Sequence, residues 1–212
     1  MKKIICLLFL LFIGILNVNA EEVSNDFAPN SKSAILIDAN TGTILYEKNI
    51  HEKLAPASMT KVMSMLLIME AIDNGSLSFE DDVLISENAA SMGGSQVYLQ
   101  AGETYQVKEL LKGIAVASGN DAVVAMAEKI AGSVADFVNM MNSKAKELGA
   151  NDTNFVNPHG LDAENHYTTA YDMSLMAKEL LKHPKILEFT SIYEDYLQKK
   201  DGSSIWLVNT NK

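Results

Sequence analysis

The chain has 212 residues, a formal net charge of −10 and no Arg at all. An acidic chain without Arg lacks the clustered basic groups that phosphate contacts need, so nucleic acid is excluded as a partner and the acidity reads as a solubility feature. Its single Cys, Cys6, sits near the N-terminus.

Lys2 and Lys3 form a charged start, Ile4 to Leu16 is an almost unbroken apolar run, and Val18-Asn19-Ala20 supplies small residues at a cleavage point. This predicts a signal peptide over residues 1–20 and an exported protein. The competing reading is an uncleaved anchor, against which stand the short apolar run and its polar exit. Cys6 lies inside the run rather than at its end, which speaks against a lipoprotein. Removing the leader takes away two lysines and Cys6, so the charge moves from −10 to −12. The mature chain, residues 21–212, then has no disulfide, thiol nucleophile or thiolate metal site. It must be held by an apolar core.

Residues 21–30 are polar and read as a loose leader. Ser33 to Asp38 and Gly42 to Glu47 are short apolar runs around Ala39-Asn40-Thr41-Gly42, where Asn and Gly accept positive φ; this predicts a β-hairpin. Ser58 to Asp73 contains no breaker and stops at Asn74-Gly75, predicting a helix apolar on nearly every face and so buried all round. Its Met content would also suit a pliable ligand groove, but core packing is the plainer reading. Helices are predicted over Val107 to Ala117 and Asp121 to Ala131. Capping boxes at Ser133-Val134-Ala135-Asp136 and Thr169-Ala170-Tyr171-Asp172 open two more, running to Gly149 and about Leu181. Trp206 to Val208 begins a strand. There is no internal repeat. Hairpin, helices and a strand just starting predict an α+β fold with an unfinished sheet.

Ser58-Met59-Thr60-Lys61 has the S-x-x-K spacing, which places a Lys amine one helical turn from a Ser hydroxyl. A desolvated Lys can take the proton that makes Ser a nucleophile, and the helix N-terminus favours oxyanion character there. The spacing alone proves little, because Ser143-Lys144-Ala145-Lys146 repeats it. Ser143 lies in a charged stretch whose Lys stays solvated, whereas Ser58 opens an apolar helix. Ser118-Gly119-Asn120 matches S-x-N between two apolar helices, and Ser86-Glu87-Asn88 matches it at what reads as an exposed helix start. Buried polar groups at the Ser118 junction need partners; the plain alternative is a tight turn with Asn120 or Asp121 capping the second helix.

Pro56 to Lys61, Ala117 to Ala122 and Asn157-Pro158-His159-Gly160-Leu161-Asp162, in this order, resemble the D-alanyl-D-alanine carboxypeptidases. These are the low-molecular-mass penicillin-binding proteins of peptidase family S11, relatives of the serine β-lactamases. His166 to Met173 and Met92-Gly93-Gly94-Ser95 are also similar, so the likeness covers essentially the whole mature chain. The resemblance implies a β-lactamase/transpeptidase-like fold and a peptidoglycan stem peptide ending in D-Ala-D-Ala as substrate. It implies β-lactams as covalent inhibitors, no cofactor and action outside the cytoplasm at the cell wall. By the same resemblance, Ser58 would form the acyl-enzyme and Lys61 would accept its proton, though which group is the acylation base is disputed among such relatives. Ser118 would relay a proton to the leaving D-alanine, and Asn120 would bind substrate and hold Lys61.

His159 and His166 could suggest a metal pair, but no helical spacing and no third ligand accompany them, so no metal is expected and Asn157 to Gly160 reads as a turn packed near the site. The family's third motif, Lys-Thr-Gly, does not occur in this sequence. That strand would help bind the substrate carboxylate, and losing an oxyanion donor alone costs about two to three orders of magnitude in rate. The sequence therefore reads as the N-terminal, incomplete portion of a catalytic domain, lacking further strands and the family's C-terminal membrane anchor. By itself it is expected to be inactive or unstable, with an open hairpin edge. A β-lactamase or endopeptidase relative is an alternative, although no deacylating Glu follows S-x-N. An inactive wall-binding module is another.

Overall fold

The computed structural model describes residues 26–210, and the signal-peptide expectation lies outside them. The chain divides into two units, residues 1–31 and 32–212. Of the first, the described part is a short turn in which Ala28 N–H donates to Asp26 Oδ1 and Ser31 N–H to the Ala28 carbonyl.

The second unit opens with the expected hairpin, β1 (Ala34–Ile37) and β2 (Ile44–Lys48), antiparallel with a bulge between Leu36 and Ile37. Its turn differs from expectation in one respect. Gly42 takes φ +79°, but Asn40 does not adopt positive φ. The Asp38 carboxylate closes the turn instead, accepting from Asn40 N, Thr41 N and Thr41 Oγ1 at 2.7–3.1 Å. An Asp side chain mimicking the backbone is enough to fix such a loop. Leu36 and Leu45 stay exposed, and among the described residues the hairpin pairs only with itself.

A 3₁₀ turn, Ala57–Thr60, runs directly into α1 (Lys61–Asp73). The α-helix thus starts at Lys61 rather than Ser58. Nine of its thirteen residues are buried, including Lys61 and Ser64, so the all-round burial expected from the sequence holds. Asn74 and Gly75 (φ +79°) end it. Two short strands, β3 (Asp82–Leu84) and β4 (Thr104–Gln106), pair antiparallel and enclose the short α2 (Glu87–Ala90), which Ser86 caps through Ala89 N–H. None of these three was expected beyond the helix start at Ser86, because three- and four-residue elements carry no readable period.

From β4 the chain enters α3 (Val107–Ala117) without a loop, and α4 (Asn120–Ala131) follows after two residues. Ser133 and Thr169 cap α5 (Val134–Glu147) and α6 (Ala170–Leu180) through Asp136 N–H and Asp172 N–H. The Asp172 carboxylate goes to Asp152 N and Thr153 Oγ1 rather than back to its own cap. A short α7 (Ile186–Thr190) precedes the hairpin β5 (Glu194–Gln198) and β6 (Ser204–Val208). That hairpin is tied to α3 by Lys112, whose Nζ reaches Asp195 Oδ2 (3.1 Å), Glu109 Oε2 (3.2 Å) and the Tyr196 carbonyl (2.6 Å).

The core is helical. α1 is flanked by α6, α5 and α4, and Met63, Leu66, Ile68, Met69, Met126 and Phe137 meet in it with essentially no exposure. Burial of this kind contributes about 1.5–3 kcal/mol per large side chain. The class is α+β: a helical centre with three separate two-stranded antiparallel sheets around it among the described residues. No helix among them is long and apolar enough to cross a membrane.

Candidate active site

Ser58 lies in the 3₁₀ turn and is exposed, while Lys61 is the first residue of α1 and is only 3% exposed. In a 3₁₀ turn residues i and i+3 eclipse one another, which brings this pair together. Lys61 Nζ is 3.1 Å from Ser58 Oγ. Burial pushes the Lys61 ammonium down from its ordinary value to about 8, because charge is disfavoured away from water. Ser143 and Lys146 are both exposed, and Ser143 Oγ merely returns to the Asn139 carbonyl. The two S-x-x-K pairs therefore part as their surroundings predicted.

Ser118 terminates α3 in the left-handed region, φ +57°. Its N–H closes on the Ile114 carbonyl (3.1 Å), and the Gly119 N–H reaches back to Gly113 (3.2 Å). This is a helix stop that glycine usually provides. The suggestion that Asn120 or Asp121 caps α4 is corrected: Gly119 stands at the N-cap, with no side-chain cap. Asn120 instead grips the 93–95 segment, its Nδ2 donating to the Gly93 carbonyl and its N–H to Ser95 (both 2.7 Å). The buried Asp121 carboxylate accepts from Val97 N, Leu99 N and Ala122 N at 2.9–3.1 Å. Ser118 Oγ and Asn120 Oδ1 are buried with no hydrogen-bond partner among the described residues. Native proteins rarely leave such atoms unmatched away from functional positions.

The Asn157–Leu161 turn meets the start of α1. Lys61 Nζ donates to the His159 carbonyl (2.8 Å), and Ser64 Oγ donates to the Pro158 carbonyl (2.6 Å). Gly160 has φ +90°, and a Cβ there would stand 1.8 Å from the Ala57 carbonyl oxygen. Only glycine lets the two backbones lie so close.

Neither histidine of this region is free. His166 Nδ1 accepts from Val156 N–H (2.9 Å), so Nε2 carries the proton and donates to Thr60 Oγ1 (2.8 Å). His159 Nδ1 accepts from Leu161 N–H (3.2 Å). Burial lowers both, His159 to about 4 with the Lys61 charge adding to the effect. Among the described residues no group of three or more His, Cys, Asp or Glu is disposed to hold a metal ion.

Two contributors were missed in the sequence. Ser64 had a visible signal, a hydroxyl three residues after Lys61 on an otherwise apolar helix. The His159 carbonyl had none, since every residue carries one.

Comparison with known proteins bears on the family and the fold. The model of the D-alanyl-D-alanine carboxypeptidase family, peptidase S11, matches residues 19–212. The D-alanyl-D-alanine carboxypeptidase DacF of Bacillus subtilis strain 168 is 59% identical over 189 residues, covering 89% of this chain and 49% of the relative. DacC of Escherichia coli K12, another D-alanyl-D-alanine carboxypeptidase, is 36% identical over 205 residues, covering 91% and 51%. The crystal structure of the D-alanyl-D-alanine carboxypeptidase DacD from Francisella tularensis superposes with a TM-score of 0.80 at 38% identity, covering 83% of this chain and 43% of that one. The chain spans about half the length of the curated relatives it matches. Family match, identity and shared fold agree, and the chain belongs to the D-alanyl-D-alanine carboxypeptidase family of serine peptidases, with its penicillin-binding, β-lactamase-like fold.

Proposed function

We propose that the protein is a serine D-alanyl-D-alanine carboxypeptidase that trims peptidoglycan stem peptides outside the cytoplasm, entering the export route through residues 1–20. The observation that carries this is the desolvated Lys61 amine held 3.1 Å from the exposed Ser58 hydroxyl. A neutral amine takes the Ser58 proton as Oγ attacks the carbonyl carbon between the two terminal D-alanines. The C–N bond of the tetrahedral intermediate then breaks. Lys61 gives up the proton it took, and Ser118 relays it to the departing D-alanine nitrogen, leaving an ester on Ser58. Water hydrolyses that ester and regenerates the hydroxyl. Asn120 Oδ1 accepts a substrate amide N–H, while its Nδ2 holds the 93–95 segment. Lys61 is held by Ser58 Oγ and the His159 carbonyl and not, as the resemblance implies, by Asn120. The unmatched Ser118 Oγ and Asn120 Oδ1 support these roles, since substrate would supply their missing partners. A β-lactam ring presents a similar carbonyl, so penicillins would acylate Ser58 in the same way.

The test uses the full-length gene product. A fluorescent penicillin should label it covalently, Ser58→Ala should abolish the band, and a peptide ending in D-Ala-D-Ala should release D-alanine. Labelling that survives Ser58→Ala, or that disappears with Ser143→Ala instead, refutes the assignment.

A further inference from the structure

We propose that Ser64 is a positioning residue for the acylation step, acting through the Asn157–Leu161 turn to fix the carbonyl on which Lys61 rests. The inference builds on the acyl-enzyme reading above. Ser64 is completely buried in an apolar helix, and its hydroxyl donates to the Pro158 carbonyl at 2.6 Å. One turn earlier on the same face, Lys61 Nζ donates to the next carbonyl along, that of His159, at 2.8 Å. Side chains three apart on a helix are neighbours, so α1 grips two consecutive carbonyls of one turn.

The turn keeps its shape through its own bonds. Asn157 Oδ1 accepts from Gly160 N (2.6 Å), and Asn157 Nδ2 donates to the Leu161 carbonyl (2.8 Å). Gly160 lies against Ala57, and a Cβ there would also crowd Thr60 Oγ1 at 2.9 Å. Asn157 thus fixes the shape of the turn, while Ser64 and the Ala57 backbone set where it lies against α1.

A carbonyl facing an amine favours its ammonium form and aims it, while burial opposes the charge. The titratable groups on the elements packed around Lys61 leave the carbonyl as its polar support beside Ser58 Oγ. His159 and His166 are held neutral by burial in the range where Lys61 titrates. On α4, Asp121 spends its carboxylate on Val97, Leu99 and Ala122 N–H groups. On α6, Asp172 spends its own on Asp152 N and Thr153 Oγ1. Removing the Ser64 hydroxyl strips the Pro158 carbonyl of its donor and frees the turn to retreat. Lys61 then loses both its aim and the group that favours its charged form.

The experiment measures the second-order rate of fluorescent-penicillin acylation by the full-length gene product between pH 5.5 and 9.5. In Ser64→Ala the plateau should fall about tenfold, and the midpoint of the rise should move to lower pH by about half a unit or more. Ser64→Thr, which keeps the hydroxyl, should restore both. Asn157→Ala loosens the turn from its outer side and should shift the midpoint the same way, which covers an unstable Ser64→Ala. A Ser64→Ala rate that matches wild type, or that drops while the midpoint stays put in both variants, overturns the inference. A wild-type protein that takes no label overturns the acyl-enzyme reading itself, and this inference with it.

Discussion

The protonation state of Lys61 gives the sharpest prediction for the proposed chemistry. A free Lys amine, ordinarily near 10.5, would be neutral in only about 0.03% of molecules at pH 7. Burial brings Lys61 to about 8, where the neutral share at pH 7 is about 9%, a gain of about 300-fold. If the neutral amine is the base, acylation by a fluorescent penicillin should rise about tenfold per pH unit below 7 and level off above pH 8 to 9. The sign follows from the base having to be deprotonated before it can accept a proton from Ser58. Stopped labelling reactions quantified by gel fluorescence, at penicillin concentrations where rate is linear in concentration, give the profile directly. A profile flat from pH 6 to 9 would remove Lys61 from the role of base. A midpoint near 10 would show that burial does not lower the amine, and the desolvation reasoning would fail with it.

Two further outcomes follow from the same groups. Because Lys61 is lowered in the folded chain relative to about 10.5 unfolded, the unfolded state binds more protons between those values, and stability should increase from pH 8 to pH 10.5. The stabilisation is complete above the unfolded value and lost as pH falls through about 8. Its ceiling is about 3 kcal/mol, and Lys61→Met should flatten this part of a urea-midpoint profile. Asp121→Ala would leave the Val97, Leu99 and Ala122 N–H groups without their buried acceptor. At about 1–3 kcal/mol for each unmatched group, a loss of at least 3 kcal/mol in thermal unfolding is expected, together with earlier protease cleavage in the 93–99 segment.

Much of the fold could be read in the sequence where elements are long or punctuated. The apolar run after Pro56 and the Asn74-Gly75 stop marked α1, and Ser133 and Thr169 marked their helices through side chains that do cap them. Punctuation is ambiguous where one residue type has several uses. Asn40 tolerates positive φ, yet Asp38 two residues earlier makes it unnecessary. Asn120 and Asp121 stood where caps stand, yet both reach across to residues 93–99, which no local pattern reveals. The Ser58–Lys61 pair was legible because both partners lie within one turn. The third member of that cluster, a backbone carbonyl 98 residues further on, has no residue type to betray it.

Beside Ser58, strain and support come from the same place. Ala57, immediately before Ser58, holds φ +48°, and Ser118 holds φ +57°; neither is glycine. Each such residue costs about 1–2 kcal/mol and persists only where its surroundings over-determine it. At Ser118 the determinants are local, the two closing bonds at the end of α3. At Ala57 they are distant: Gly160 lies directly over its carbonyl, in the turn that also receives Lys61 and Ser64. Folding that turn onto α1 therefore does two things at once, holding the strained approach to Ser58 and completing the surroundings of Lys61. Neither would be reached by the Pro56-to-Lys61 segment alone, however well it matched the motif. Under the proposed function, the Ser58–Lys61 pair is complete only when residues 157–161 pack against it.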